Sequence, residues 1–225
     1  MTIMCGRYTN TGEIRDIRIQ FNLDEIFSLF PRYNIAPGQN APVIVNADGV
    51  RRLAMMRWGL VPSWAKDPSI GNRMINARAE TVAQKPAFKR LLGKRRCLVL
   101  ADGFYEWRRE GKRKFPMRIV LKDTRPFAFA GLWDAWKRAE GDELHSFTII
   151  TTEANELLRP IHDRMPVILD GESGAKWLDP ELTEPRLLTV LLLPFASELM
   201  EAYEVSTMVN SPANDRPECI SPLEN

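Results

Sequence analysis

The feature that most restricts the fold is a tight turn, Ala47-Asp48-Gly49, set between two apolar, β-leaning runs at residues 42–46 and Val50–Trp58. An Asp-Gly pair between such runs marks a hairpin, because its backbone tolerates the positive φ angles that a short turn demands. The pattern recurs at Glu110-Gly111-Lys112, between runs at 96–107 and 114–121. Residues 127–133 and 146–152 predict two more strands. Helical periodicity is confined to short segments: 13–21, with Ile14, Ile17 and Phe21 on one face; 85–92; 153–158; Gly171–Leu178; and 186–193. Hairpins with helices inserted between them predict an α+β fold, with a mainly antiparallel, barrel-like β core and peripheral helices. No linker rich in Gly, Ser or Pro interrupts residues 1–225, so a single domain is expected.

Several function classes drop out early. The longest apolar run, 187–193, contains Thr189 and falls far short of the roughly 20 residues of a membrane span. The first residues lack the pattern of a signal peptide. Cysteines stand only at positions 5, 97 and 219, which gives neither a disulfide framework nor a CxxC zinc pattern, and a reducing, cytoplasmic setting is expected. No metal site is expected, and without a GxxxxGK[ST] or GxGxxG stretch no nucleotide or other cofactor is expected either. Net charge is +2, yet residues 1–125 carry 24 Lys+Arg against 11 Asp+Glu, and the remainder is correspondingly acidic. Such a basic half is either a footprint for a polyanion or a surface cancelled by packing against the acidic half.

Six short stretches are more specific than packing requires: Cys5-Gly6-Arg7-Tyr8; Arg32-Tyr33-Asn34-Ile35-Ala36-Pro37; Trp58-Gly59-Leu60-Val61-Pro62-Ser63-Trp64; Ile75-Asn76-Ala77-Arg78-Ala79-Glu80-Thr81; Ala101-Asp102-Gly103-Phe104-Tyr105-Glu106-Trp107; and Ile161-His162-Asp163-Arg164-Met165-Pro166. In this order they resemble the SOS-response-associated peptidase (SRAP) family, whose members act on abasic sites in single-stranded DNA. The segment 205–210 resembles that family's closing strand.

The resemblance implies a definite reaction. An abasic site opens to an aldehyde, and an N-terminal cysteine offers an amine and a thiol on adjacent carbons. The amine forms an imine, and the thiol closes it to a thiazolidine, a covalent DNA–protein crosslink that shields the site during the response to DNA damage. An α-amine with a pKa of about 7.7–8.0 has a usable neutral fraction at pH 7, which lysine near 10.4 lacks. The resemblance makes Cys5 the nucleophile, Glu106 and His162 the proton carriers, and Asn76 the hydrogen-bonding amide. Arg7, Arg78 and Arg164 would hold phosphates in forked fashion, and Trp64 would stack on a base. Each has a plainer alternative. Glu106 would pair with Arg108 or Arg118, His162 would be structural, Asn76 would cap a strand end, and the arginines would be unrelated surface residues. Trp58 reads as core, His145 as surface, and the basic run 108–114 as a solvated hairpin tip with a secondary DNA contact open to it.

One departure matters. The family pattern begins Met-Cys-Gly-Arg, whereas Met1-Thr2-Ile3 precede Met4 here. A Cys5 nitrogen tied up in a peptide bond cannot form an imine. Residues 1–4 are therefore expected to be absent from the working protein, through a start at Met4 or through cleavage. The expected partner is single-stranded DNA carrying abasic sites, bound by a monomer that joins the nucleoid when on DNA. Two other readings stay open: a cysteine (auto)peptidase using Cys5 and His162, and a non-covalent single-strand-binding module. A lyase activity on the same substrate is a further option.

Overall fold

The computed structural model describes residues 5–23, 28–138 and 141–223, so residues 1–4 and the expectation attached to them lie outside the described residues. In chain order the strands are β1 (Tyr8–Asn10), β2 (Arg32–Ile35), β3 (Asn40–Ala47), β4 (Val50–Trp58), β5 (Asn76–Arg78), β6 (Arg96–Ala101) and β7 (Gly103–Glu110). They continue with β8 (Arg113–Leu121), β9 (Phe127–Lys137), β10 (Glu143–Glu153), β11 (Arg164–Pro166), β12 (Ile168–Leu169) and β13 (Met200–Glu204). The helices are α1 (Ile14–Phe21), α2 (Ala79–Val82), α3 (Pro86–Lys94), α4 (Gly171–Leu178) and α5 (Pro185–Thr189).

Turn chemistry sets the two central hairpins. Asp48 and Gly49 both take positive φ, 53° and 82°, so Ala47 and Val50 close directly against each other. Two left-handed central residues make a type I′ turn, whose twist matches that of the strands it joins. Gly111 takes φ 60° at the tip of the β7–β8 ribbon, where Glu110 faces Arg113.

Five strands close on themselves. β4 pairs with β3, β3 with β6, β6 with β9, and β9 with β10, all antiparallel. β10 then returns to β4 in parallel, with Ser146 opposite Arg57 and Phe147 opposite Trp58. A second sheet runs in the order β13-β8-β7-β1-β2. Side chains alternate along each strand, so the ring has two buried faces. Val43, Trp58, Val99, Phe129 and Phe147 form one core with Tyr8, Phe104 and Ile119 of the second sheet. Ile44, Leu98, Leu100, Ala130 and Ile150 form the other, beneath Ile17 and Phe21 of α1, Leu91 and Leu92 of α3, and Trp177 of α4. Trp58 is fully buried in the first core.

Four expectations are revised. The run 96–107 is two strands, broken at Asp102, where the chain leaves the ring for the second sheet. The Asp102 carboxylate accepts from the Thr9 hydroxyl (2.6 Å) and the Thr11 hydroxyl, which pins the crossing point. Residues 153–158 are not helical: β10 runs to Glu153, and Asn155 then takes the Leu158 N–H on its side-chain oxygen (3.0 Å). Asn side chains that bond nearby backbone compete with the helix in this way. The helix at 186–193 is only Pro185–Thr189, with Thr189 Oγ1 bonded back to the Arg186 carbonyl (3.1 Å). The closing strand lies earlier than 205–210, at Met200–Glu204 against β8. Thr207–Asn210 is a 3-10 turn capped by Ser206 Oγ, which accepts from the Met208 N–H (3.2 Å).

Candidate active site

β1 lies between β2 and β7 in the second sheet, and this places Cys5, just upstream of β1, over the middle of β7. Tyr8 faces Phe104, and the Arg7 carbonyl accepts from the Tyr105 N–H (3.0 Å). The chain then turns sharply: Cys5 has φ 42°, a conformation uncommon outside glycine. The result is a short contact, with the Cys5 N–H donating to Glu106 Oε1 at 2.7 Å. In the chain as described this nitrogen is an amide.

Glu106 is 2% exposed and has no cation bonded to it among the described residues. The two arginines that sequence alone offers as its partners are used elsewhere. Tyr105 faces Arg118 in the β7–β8 register while Glu106 faces Met117, so Arg118 points to the opposite side of the sheet. It bonds Asp102 (3.4 Å) and the Tyr203 hydroxyl (2.6 Å) there. Arg108 pairs with Glu110 (3.1 Å) and Glu204 (3.4 Å). Burial therefore pushes the Glu106 carboxyl above its ordinary range, with His162 and the Cys5 N–H pulling partly the other way. Burial also pushes the Cys5 thiol up, and the Glu106 carboxylate adds to that rise.

His162 reaches the same place from the segment before β11. It lines a cleft of about 800 Å³ together with Gly6, Arg7, Pro37, Glu106 and Trp107. Its Nδ1 lies 3.1 Å from the Arg164 N–H and 2.9 Å from the exposed Asp163 carboxylate. Nε2 has no hydrogen-bond partner among the described residues. Arg7 enters the cleft with Nη1 donating to Asn34 Oδ1 (2.8 Å) and to the Val209 carbonyl (2.6 Å).

The remaining expected residues separate into two groups. Asn76 and Arg78 begin and end β5, which runs parallel to β10, with Asn76 opposite Ile149 and Arg78 opposite Thr151. A close backbone approach holds the preceding loop: a Cβ on Gly59 would stand 2.7 Å from the Gly71 carbonyl oxygen, so the glycine in the Trp58–Trp64 stretch serves packing. Arg164 lies on β11, on the other side of β10, and its field reaches Cys5. Its guanidinium is not an open fork. Glu80 holds it in bidentate fashion (2.6 and 2.9 Å), and the Thr151 carbonyl accepts a further bond (2.7 Å). Arg78 is exposed. Trp64 is 60% exposed, on the turn next to β9, and does not line the cleft. His145 pairs with Glu143 at the surface (3.2 Å).

A family model described as SOS response associated peptidase (SRAP) matches residues 4–212. The chain belongs to the SRAP family. The abasic site processing protein YoqW of Bacillus subtilis (strain 168) is 52% identical over 221 residues, covering 96% of this chain and 99% of that protein. The abasic site processing protein HMCES of Gallus gallus is 39% identical over 226 residues, covering 86% of this chain and 67% of that one. A crystal structure of a protein from Bacteroides thetaiotaomicron superposes with a TM-score of 0.85 at 30% identity, covering 98% of this chain and 100% of that one.

Two residues of this SRAP chain acquire importance only in three dimensions. Asn34 is fully buried, and beyond holding Arg7 its Nδ2 reaches the carbonyls of Val209 (3.2 Å), Ser211 (3.0 Å) and Asn214 (2.6 Å). It thus ties the C-terminal segment to the cleft wall. That segment supplies Asn210, whose Oδ1 accepts from Trp107 Nε1 (2.8 Å) and fixes the indole along the cleft. In the sequence Asn34 shows only as a member of the Arg32–Pro37 stretch, and its role there is hidden because its three carbonyl partners lie about 175–180 residues downstream.

Proposed function

We propose that this chain captures abasic sites in single-stranded DNA as a covalent thiazolidine through Cys5, and that its working form begins at that residue. One observation carries the reading: the Cys5 nitrogen sits 2.7 Å from a buried carboxylate that has no cationic partner among the described residues. The abasic-site processing named for YoqW and HMCES supports the substrate class.

The chemistry balances on these groups. Glu106 takes a proton from the Cys5 ammonium, and the freed amine adds to the aldehyde carbon. Glu106 returns the proton to the departing hydroxyl, releasing water and leaving the protonated imine. The thiol sulfur then adds to the same carbon, its proton passes to the nitrogen, and the five-membered ring closes. A carboxyl whose range is raised by burial holds a proton nearer neutrality than an ordinary one, which suits this shuttle. The open Nε2 of His162 is placed to move the proton released when the sugar ring opens. Ring closure consumes the imine, so it competes with the strand-cleaving elimination that a lyase would carry out. A peptidase needs a thiolate, and burial with the neighbouring carboxylate works against one at Cys5.

The test is a denaturing gel with a single-stranded oligonucleotide containing one abasic site, run alongside N-terminal sequencing of the protein used. A heat-stable adduct is expected from chains beginning at Cys5. Cys5→Ala should abolish it, and an N-terminal extension should prevent it. An adduct of full yield from a chain whose terminus is Met1 or Thr2 would sink the aminothiol mechanism.

A further inference from the structure

We infer that Arg109 and Lys114, facing each other across the β7–β8 ribbon, form a second anionic subsite that takes backbone phosphates of the strand leaving the Cys5–Glu106 site. The two residues are direct cross-strand partners, and both line the cleft that holds Arg7, Glu106 and His162. Like charges placed directly opposite on a ribbon repel each other, so such a pair lowers the stability of its own hairpin. The other cations of the ribbon lie outside the cleft's lining: Arg108 has Glu110 at 3.1 Å and Glu204 at 3.4 Å and packs over the Phe115 ring, Arg113 faces Glu110, and Lys112 sits in the turn. Among the described residues neither Arg109 nor Lys114 has an ion-pair partner. Among the described residues the only acid lining the cleft is Glu106, which is buried.

The cations therefore form an open track. Arg7 stands at its inner end, with its guanidinium 6.0 Å from the centre of the Trp107 ring. Trp107 follows on β7, and Arg109 lies two residues further out on the same side of the strand. At about 3.3 Å per residue, Arg109 stands roughly 10 Å beyond Glu106 along the strand, with alternation placing Trp107 and Arg109 on the face opposite Glu106 and one cleft lined by all three. A polyanion leaving the site across Trp107 would meet this pair next. Phosphate contacts of this kind hold and orient without reading bases. The subsite rests on the abasic-site reading for the identity of its ligand, and its test is kept apart from the chemistry.

The test measures equilibrium binding of a fluorescent single-stranded oligonucleotide with no abasic site, across a salt series. The full chain is compared with Arg109→Gln/Lys114→Gln and with Arg108→Gln/Arg113→Gln, which changes net charge equally. Each single-strand phosphate contact contributes about 0.7 to the slope of log affinity against log salt. The first variant should lose about 1.4 of that slope, while the second keeps the wild-type value. The first should also melt at a temperature equal to or above the wild type, because a repulsion has been removed. Equal slopes for the two variants, or no binding by the wild-type chain, would overturn the subsite. A slope difference, with no adduct on abasic DNA from a chain trimmed to begin at Cys5, would leave the subsite standing and reject the covalent reading.

Discussion

Asp102 and Glu106 are four residues apart, one at the break just before β7 and one in its middle; both are carboxylates largely removed from water, and they are handled in opposite ways. Asp102 accepts from Thr9 and Thr11 and has Arg118 at 3.4 Å, with Arg118 itself anchored on the Tyr203 hydroxyl. Glu106 has the Cys5 N–H at 2.7 Å and no bonded cation among the described residues. Position makes the difference: Asp102 stands outside β7, at the crossing between the sheets, where Arg118 reaches it, whereas Glu106 faces Met117 within the ribbon and points away from Arg118. The first carboxylate fixes where the chain crosses between sheets. The second keeps its capacity to exchange a proton, at a cost in stability. Burial of a charge with all its partners is architecture, and burial without them points to chemistry.

The strongest way to break this contrast is to neutralise each site in turn. Glu106→Gln should slow adduct formation by about 10²- to 10⁴-fold, the usual worth of a positioned proton carrier. It should leave thermal stability unchanged or higher, since no ion pair is lost. Arg118→Met should do the reverse. It leaves Asp102 as an unpaired buried charge, which costs about 3–5 kcal/mol, readable as a lower midpoint in urea unfolding. If the Glu106 variant instead loses several kcal/mol and the Arg118 variant loses none, the two roles have been assigned the wrong way round.

A smaller effect tests the wall of the cleft. Asn34→Ala removes one of the two acceptors of Arg7 and leaves the carbonyls of Ser211 and Asn214 without their Asn34 donor. A loss of about 1–3 kcal/mol in urea unfolding is expected from buried groups left unbonded. Weaker single-strand binding should accompany it, because Arg7 and the Asn210–Trp107 bond both depend on the segment Asn34 holds. Asn34→Ser, able to keep part of the bonding, should recover some of each. Full binding by the alanine variant would confine Asn34 to a purely structural role.

How far the sequence carries this architecture depends on the distance over which each feature is decided. The β3–β4 hairpin is legible because Asp48 and Gly49 supply their own left-handed backbone. Helix Gly171–Leu178 is legible because Asp170 and Ser173 cap it locally, with the two side chains bonding each other's backbone N–H at 2.9 Å. The break at Asp102 is not legible, since Thr9 and Thr11, about 90 residues away, determine it. The same holds at the site. Cys5, Glu106 and His162 stand out through the family resemblance, but the absence of a cation at Glu106 needs the β7–β8 register. Glu80's hold on Arg164 and the carbonyls gathered by Asn34 likewise join segments that no local pattern connects.

The smallest effect is a slope in the pH dependence of stability, and its sign is fixed by the direction of the Glu106 shift. Burial raises the folded-state pKa of this carboxyl above its unfolded value of about 4.3. Between those two values the folded chain binds more protons than the unfolded one, so stability falls as pH rises through that window. One group contributes at most about 1.4 kcal/mol per pH unit there. Asp102, paired with Arg118, stays in place in both proteins, so subtracting the urea-unfolding profile of Glu106→Gln from that of the wild type isolates the Glu106 component. The difference should be absent below about pH 4 and grow toward neutrality in favour of the glutamine variant. A chain trimmed to begin at Cys5 should shrink it, because the new ammonium beside Oε1 stabilises the charged carboxylate. A difference that ran the other way, with the glutamine variant losing ground as pH rises, would mean that Glu106 has a charged partner after all and that the contrast with Asp102 fails.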